Sequence, residues 1–432
     1  MALKPTEMST HQEENKVFYG WIITFVSLAV TTTSFGIMYT FGVFFKLWLK
    51  EWDCSRAFLS GVFSLCFLIY GISSFFMGRM TDRYGPRKTL ALGGFIMGAG
   101  AVLTSFVSAP WILYLTFGLM IGIGVGTSYS PTASTVSRWF VKKKGSAVGI
   151  VVAGLGLGTL VYSPLARFLI GKWNWRSAFV LFGFMIWAVY LFAAYLIRRN
   201  PQDLGLLPYG QEPQRSVEEN TTGTHYNQSS VSAPQVIYTR EALGKSYFWI
   251  LFFVHCLWVV GMAIPMVHLV PYATDIGIPP DTAAAMLAVL GGVSVLGRLV
   301  LGAVGENIGT RNSLRIMLLL QALSMLWLAA SKGPWMLWMF SFLFGFSYGG
   351  LASMFPLVTS EYFGVAAMGS IFGLILLGAT LGGVIGPWLA GFIFDLAGQY
   401  FYGFLAGMSS MAMGLILTLH LPSGTSFKKT GS

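Results

Sequence analysis

The fold is decided by the stretch AAAMLAVLGGVSVLGRLVLG, residues 283–302, in which Arg298 is the single charged residue. About 20 helical residues, at roughly 1.5 Å each, cross the ~30 Å hydrocarbon layer of a bilayer. The stretch therefore predicts a transmembrane helix with a permanent positive charge. Such a residue usually faces a water-filled cavity or a bound anion. The alternative is that the Arg298 side chain extends to the headgroups at the end of its helix.

The composition of the whole chain is that of a membrane protein. Of its 432 residues, 55% are hydrophobic and 10% are charged, whereas soluble domains carry about 25% charged residues. The net charge of +11 could suggest a nucleic-acid partner. Because the basic residues gather on the loops of one side, we interpret it as a topology signal and expect no nucleic acid. Three scattered cysteines favour neither a metal site nor a disulfide framework.

Apolar segments of spanning length predict twelve transmembrane helices. They lie at about 18–45, 57–78, 89–108, 111–139, 146–171, 176–197, 247–274, 282–304, 314–331, 334–360, 366–394 and 400–420. We expect an all-α membrane protein built from two pseudo-symmetric six-helix bundles. The predicted parts are an N-terminal tail (1–17), a first bundle (18–199), a linker rich in polar residues and proline (200–243), a second bundle (244–421) and a C-terminal tail (422–432).

The distribution of lysine and arginine predicts the orientation. If the N-terminus is cytoplasmic, nineteen of these residues fall on cytoplasmic segments and seven on external ones, with Arg298 inside a span. Because cytoplasmic loops carry the excess of positive charge, we expect both termini and the linker to be cytoplasmic. The protein is expected to be a multi-pass protein of the cell membrane, surrounded by lipid and functional as a monomer.

The two predicted bundles repeat each other in sequence. GRMTDRYGPRK at 78–88 corresponds to GAVGENIGTRN at 302–312, and GSAVG at 145–149 corresponds to GSIFG at 369–373. Both matches have an offset of 224 residues. Parallel repeats related by an axis along the membrane normal are typical of transporters that rock two halves around a site near the midplane.

These motifs resemble a known family. The stretch at 78–88 is similar to the loop between spans two and three of the major facilitator superfamily. YGW at 19–21, RWFVKKKGSAVG at 138–149 and HLVPYA at 268–273 resemble the monocarboxylate transporters and their relatives, the oxalate/formate antiporters. The resemblance covers essentially residues 18–420 and implies the major facilitator fold.

In that family, the arginine of span eight binds the carboxylate of the substrate, which implies this role for Arg298. A planar guanidinium can hold a carboxylate with two parallel hydrogen bonds. The resemblance also implies a binding role for Tyr129. The other residues predicted to line the cavity are Ser294, Tyr348, Tyr39, Met38 and Leu376. For the tyrosines, the alternative is a structural hydrogen bond to a neighbouring helix.

Departures from the family bear on substrate and coupling. Ser294 replaces an aspartate that takes part in proton coupling in the animal monocarboxylate transporters, and Ala379 lies near the position of a lysine associated with oxalate. A single cation favours a monocarboxylate over a dicarboxylate. An imidazole titrates near physiological pH, so His268, and less so His255, could carry the proton, or the substrate could cross with its own proton. The alternative for both histidines is a structural hydrogen bond.

The loop at 78–88 predicts a conformational latch on the cytoplasmic side. In the superfamily this loop holds the two halves closed, which implies that role for Asp82, Arg83 and Arg87, together with Gly78 and Gly85. Charged hydrogen bonds that form in one state and break in the other would bias the equilibrium between the states.

The sequence therefore predicts a secondary transporter of small monocarboxylates such as lactate, pyruvate or acetate, with proton coupling. The alternatives are an anion exchanger of the oxalate/formate type and an exporter of larger amphiphilic compounds. No arrangement typical of an enzyme, a cofactor or a metal site is recognised. The glycine-rich stretches at 122–126 and 154–158 follow no strand, so they indicate close helix packing rather than a nucleotide site.

Overall fold

The computed structural model describes residues 18–211, 239–364 and 368–422. The predicted N-terminal tail lies outside the described residues, as do most of the linker and nearly all of the C-terminal tail. Within the described part the chain is helical apart from short connections and one isolated bridge between Phe140 and Tyr209. This confirms the predicted all-α class.

The first six spans, here called the first half, comprise eight α-helices. These are α1 (Tyr19–Tyr39), α2 (Phe41–Trp52), α3 (Arg56–Tyr84), α4 (Pro86–Thr104), α5 (Gly122–Gly126), α6 (Tyr129–Trp139), α7 (Lys144–Lys172) and α8 (Trp175–Leu196). A π-helix at Tyr114–Ile121 precedes α5. A short 3-10 helix follows α8 at Pro201–Leu204.

The last six spans, here called the second half, begin after a short helix, α9 (Thr239–Leu243). They are α10 (Ser246–Asp275), α11 (Pro280–Ile308), α12 (Thr310–Ala330), α13 (Pro334–Phe363), α14 (Met368–Ala397) and α15 (Phe401–Leu419).

Ten helical segments of the described chain are long and apolar enough to cross a membrane, and α1 and α2 together form one of them. The remaining two of the twelve predicted passes are α4 and the segment 114–139. The latter is divided into a π-helix, α5 and α6, with Thr127 and Ser128 between the last two. Hydropathy detects the apolar length of this segment and does not report whether its helix is continuous.

Several helices, α3 among them, extend beyond the apolar stretches that predicted them. The second span was expected at 57–78, and α3 covers Arg56–Tyr84. It ends at Gly85, which has a φ of 85°, and α11 ends before Gly309, with a φ of 88°. Glycine adopts this left-handed conformation without the Cβ clash of other residues. The two glycines are 224 residues apart, which is the offset of the sequence repeat. The corresponding helices of the two halves therefore end at corresponding positions.

Glycines bring helices together within each half. Gly378, Gly382 and Gly386 of α14 lie against backbone carbonyls of α10, while Gly154 and Gly158 lie against α1. Small residues let transmembrane helices approach closely. The glycines at 154–158 therefore pack helices, as their sequence context predicted.

The two halves touch along α3 with α14 and along α7 with α11. We call the membrane face that carries residues 18 and 422 the proximal face and the opposite one the distal face. Towards the distal face the halves are tightly apposed: a Cβ on Gly391 would lie 2.8 Å from the carbonyl oxygen of Arg56. Towards the proximal face, a Cβ on Gly149, Gly302 or Gly373 would meet no atom within 4 Å. The halves are therefore in close contact distally, whereas these three proximal glycines face open space.

Replacing Gly156 with valine should destabilise the protein by about 1–3 kcal/mol, because overpacking a close contact strains it. A Cβ at Gly156 would lie 2.4 Å from the Gly291 carbonyl oxygen, whereas Gly171 of the same helix has open space. The midpoint of thermal unfolding in detergent measures the change, with Gly171→Val as the control. Equal midpoints for the two variants would contradict the close α7–α11 contact.

Candidate functional site

Arg298 lies inside α11 with only 7% of its surface exposed. Its Nη1 donates a hydrogen bond to Ser294 Oγ at 2.8 Å, and that hydroxyl in turn donates to the Gly291 carbonyl at 2.6 Å. Ser294 is one turn nearer the distal face, so the arginine side chain leans away from the proximal headgroups, as helical side chains lean towards the N-terminus of their helix. This geometry disfavours the alternative that Arg298 extends to the headgroups.

The other edge of the Arg298 guanidinium is unpaired. Nε and Nη2 are buried and have no hydrogen-bond partner among the described residues, and no described carboxylate forms an ion pair with this side chain. These two nitrogens form the edge whose N–H groups point in parallel, which is the geometry that a carboxylate accepts with both oxygens. A buried charge without a counter-charge is costly, so this edge is suited to a bound anion.

Three tyrosines from both halves surround Arg298. Its guanidinium carbon lies 5.1 Å from the centre of the Tyr348 ring, within the range of a cation–π interaction. Its charge also acts on Tyr39 and Tyr129, and the hydroxyl group of Tyr39 lies near that of Tyr348. The structure thus brings together Arg298, Ser294 and the three predicted tyrosines.

A fourth tyrosine, Tyr70, was not predicted. It lies near Tyr129 and Tyr348 and packs edge-on against Phe35. No charge or motif marks it in the sequence. The one available signal is its position at the middle of α3, where a phenol hydroxyl would otherwise lie in the apolar core of the bilayer.

The two apolar residues predicted to line the cavity differ in burial. Met38 is fully buried beside Tyr39 at the end of α1, and Leu376 of α14 is partly buried against the hydrophobic core. Their packing against a substrate stays a prediction.

Rings of the second half continue from Tyr348. Trp258 lies 6.3 Å from Tyr348 and stacks on Phe355, which also stacks on His255 at 3.9 Å between centroids. The Trp258 indole donates to Gln321 Oε1 at 2.8 Å. The Nδ1 atom of His255 is buried without a partner in the described part of the chain. His255 is therefore held mainly by ring stacking.

His268, the predicted proton carrier, lies at the distal contact between the halves. Its Nε2 is 3.3 Å from Ser60 Oγ and 3.0 Å from the Pro387 carbonyl oxygen, and its Nδ1 is 3.2 Å from the Tyr400 hydroxyl. These partners come from α3, α14 and the start of α15. A coupling role for His268 stays a prediction, while its structural hydrogen bonds are observed.

The predicted latch residues lie at the proximal ends of the first half. Asp82 pairs with Arg138 at 2.5 Å, and Arg87 donates to the carbonyl oxygens of Tyr195 and Ile197. Arg83 lies over the ring of Tyr84. Gly85 forms the positive-φ turn, and a Cβ on Gly78 would lie 3.5 Å from the Ser130 hydroxyl. All these contacts stay within the first half, so the latch role stays a prediction.

Among the described residues, no group of three or more His, Cys, Asp or Glu side chains is placed to hold a metal ion. What the site offers is one fixed cation, several neutral hydroxyl groups and aromatic walls. Such a set can bind and orient a small anion.

A sequence model of the Major Facilitator Superfamily matches residues 21–375 and 257–431. The chain is also similar to a D-xylose–proton symporter of known structure, with a TM-score of 0.73 and 14% identity over 94% of this chain and 99% of that one. At this identity the likeness concerns the fold alone. It agrees with the fold that the resemblance implied.

Curated proteins similar to this chain include monocarboxylate transporters of several vertebrates. Monocarboxylate transporter 13 of Bos taurus is 26% identical over 409 residues, which cover 94% of this chain and 89% of the relative. Monocarboxylate transporter 12 of Xenopus laevis is 26% identical over 419 residues, with coverages of 95% and 90%. The proteins that this chain resembles are transporters, not enzymes.

Replacing Arg298 with methionine should stabilise the substrate-free protein by about 1–3 kcal/mol, because it removes a buried charge that has no counter-charge. Thermal unfolding in detergent, followed by tryptophan fluorescence, measures the effect. Arg176→Met is the control: its guanidinium pairs with Glu51 at 2.5 Å, so its loss should not stabilise. A lower midpoint for Arg298→Met would contradict an unpaired guanidinium.

Proposed function

Because the chain belongs to the Major Facilitator Superfamily, we propose that it is a secondary transporter of small monocarboxylates, of the lactate, pyruvate or acetate type. In this proposal Arg298 binds the substrate carboxylate. The observation that carries it is the buried, unpaired Nε–Nη2 edge of the guanidinium. A carboxylate there would supply both the missing charge and two hydrogen-bond acceptors.

The surroundings of Arg298 support a small substrate with one negative charge. The hydroxyl groups of its neighbours Tyr39, Tyr129 and Tyr348 can donate to a carboxylate or to a hydroxyl or keto oxygen beside it. A dicarboxylate would bring a second charge, for which the described part of this site has no partner. Met38 and Leu376 are proposed to pack against the short carbon chain.

Alternating access is the proposed transport mechanism. The close contact of the two halves at the distal face supports it, as does the open space at Gly149, Gly302 and Gly373 near the proximal face. With both termini cytoplasmic, as the positive charges predict, this arrangement faces the cytoplasm. We place the transporter in the cell membrane and propose that a monomer is sufficient.

Coupling to a proton is part of the proposal, and exchange of one carboxylate for another is its alternative. The hydroxyl of Ser294 favours exchange, since it does not take up a proton at physiological pH and already bonds to both Arg298 and Gly291. His268 is hydrogen-bonded at the distal contact, so a proton held there would act on the contact between the halves. A proton carried by the substrate itself also agrees with the site.

Uptake of labelled lactate into proteoliposomes tests the function and separates the two coupling modes. Uptake that follows an inward proton gradient in empty vesicles supports the symporter. Uptake that needs lactate preloaded inside, with or without the gradient, supports the exchanger. Transport of a labelled amphiphilic compound that is inhibited by bulky amphiphilic cations, and not by lactate, would favour the exporter instead. No transport of lactate, pyruvate or acetate in any of these conditions would refute the proposed substrate class.

Replacing Arg298 with lysine should lower the initial rate of lactate uptake at least about tenfold, because the ammonium keeps the charge but loses the two-point geometry. The measurement is initial uptake at equal amounts of reconstituted protein. Arg176→Lys is the matched control, since Arg176 pairs with Glu51 at the distal surface and is outside the site. Undiminished uptake by Arg298→Lys would argue against carboxylate binding by this residue.

Replacing Asp82 with asparagine should slow the change between states and leave substrate binding intact. The reason is that the carboxylate now pairs with Arg138 and is proposed to take part in closing the proximal face in the other state. The test compares the maximal rate of uptake, expected to fall, with the lactate-induced rise in melting temperature, expected to persist. Normal transport kinetics would exclude the latch.

A further inference from the structure

At the distal face, basic residues of the first half meet acidic residues of the second half. Lys46, Arg56 and Arg167 belong to the first half, and they pair with Asp275 and Asp281 of the second half. A third acid of the second half, Asp395, accepts hydrogen bonds from the start of α3. We call these six residues the distal lock. The sequence shows the same sorting, because six of the seven predicted external basic residues precede the linker.

Arg56 is at the centre of the distal lock. Its Nη2 lies 3.0 Å from Asp275 Oδ2, its Nη1 donates to the Tyr400 hydroxyl, and its guanidinium carbon lies 3.8 Å from the centre of the Phe394 ring. Three different parts of the second half therefore hold one side chain of the first half. The Arg56 side chain is only 14% exposed, so these contacts are less screened by solvent than a surface pair.

Asp395 binds the start of a helix that belongs to the other half. Its Oδ1 accepts from the backbone N–H of Arg56 at 3.0 Å, and its Oδ2 accepts from that of Ala57 at 2.8 Å. The first N–H groups of a helix have no partner within it and carry partial positive charge, which a carboxylate stabilises. If α3 moved away from α14, these two N–H groups and the Asp395 carboxylate would lose each other and would have to form hydrogen bonds with water instead.

Two further pairs flank Arg56. Lys46 in the middle of α2 lies 2.5 Å from Asp275 Oδ1, so one carboxylate serves two cations. Arg167 near the end of α7 lies 2.7 Å from Asp281 at the start of α11. The lock therefore spans both contacts between the halves, α3 with α14 and α7 with α11.

A buried polar layer lies beneath the lock. Ser60, one turn after Arg56, faces His268, and His268 also contacts the Tyr400 hydroxyl to which Arg56 donates. This layer joins the two halves through neutral groups. Opening the distal face would have to separate the lock and this layer together.

We propose that the distal lock sets how often the transporter opens its distal face, independently of substrate binding at Arg298. The proposal rests on alternating access and adds the residues that bias it. Each lock contact exists only while the halves are closed distally, so each one stabilises that state over the opened one. Weakening a lock contact should shift the protein towards the distally open state.

A cysteine at position 64 reports opening. Ser64 is 5% exposed and lies on α3 between Ser60, which would meet a Cβ on Gly391, and Phe67, which packs against Gly383 of α14. Ser64→Cys would be placed in a protein in which Cys54, Cys66 and Cys256 are alanine. The rate of its modification by a membrane-impermeant thiol reagent, added to the distal side of sealed vesicles, measures the fraction of time spent open.

Asp395→Asn and Asp275→Asn should each raise this labelling rate about two- to tenfold. Glu51→Gln is the matched control, because Glu51 forms an equally short pair with Arg176 at the same face but within the first half. The Glu51→Gln variant should be labelled at the same rate as the Ser64→Cys protein in which the distal lock is unchanged. Unchanged labelling of both aspartate variants, or an equal rise in Glu51→Gln, would overturn the proposal.

A charge exchange gives a second and independent readout. Arg167→Asp alone should raise the labelling rate through repulsion from Asp281, and the double change Arg167→Asp with Asp281→Arg should return it towards the starting value. If the single variant is folded and labels faster, but the double variant does not return to the starting labelling rate, then the pairing of Arg167 with Asp281 does not control opening. Since labelling needs no substrate, these results stand even if lactate is not transported.

Discussion

A single buried guanidinium with one hydroxyl partner is the constraint on which this structure depends. Arg298 cannot lose its proton, and it lies in a helix whose apolar length places it within a bilayer. Its Nη1 is held by Ser294 while its Nε–Nη2 edge is left without a partner among the described residues. The tyrosines from both halves provide polar groups and ring faces around a charge that lipid could not tolerate.

The two membrane faces are held in different ways around this central charge. At the distal face, charged side chains of one half meet opposite charges of the other, and glycines let α3 and α14 approach closely. At the proximal face, the contacts of Asp82 and Arg87 stay within the first half. In alternating access each face opens once in every cycle. The contacts that close a face must therefore be ones, such as charged pairs, that can be exchanged for contacts with water.

The fold could be predicted largely from the sequence, because spanning length and the positions of basic residues are local properties. Continuity was not predictable: the fourth span is interrupted near Thr127 and Ser128, which hydropathy cannot detect. The candidate site was partly predictable, since Arg298 was the one charge well inside a span, and Tyr70 was missed because a tyrosine in an apolar run carries no such signal. The hydrogen bond from the backbone N–H of Arg56 to Asp395, 339 residues away, depends on how the halves meet and follows from no local pattern.

The most direct measurement of the central claim is solid-state nuclear magnetic resonance of lactate labelled with ¹³C at its carboxylate, bound to protein whose arginines carry ¹⁵N. Carboxylate binding by Arg298 predicts a dipolar coupling between the bound carboxylate and guanidinium nitrogens that disappears in Arg298→Lys. A resonance of bound lactate without this coupling, or with a coupling that persists in the lysine variant, would contradict the assignment of the site.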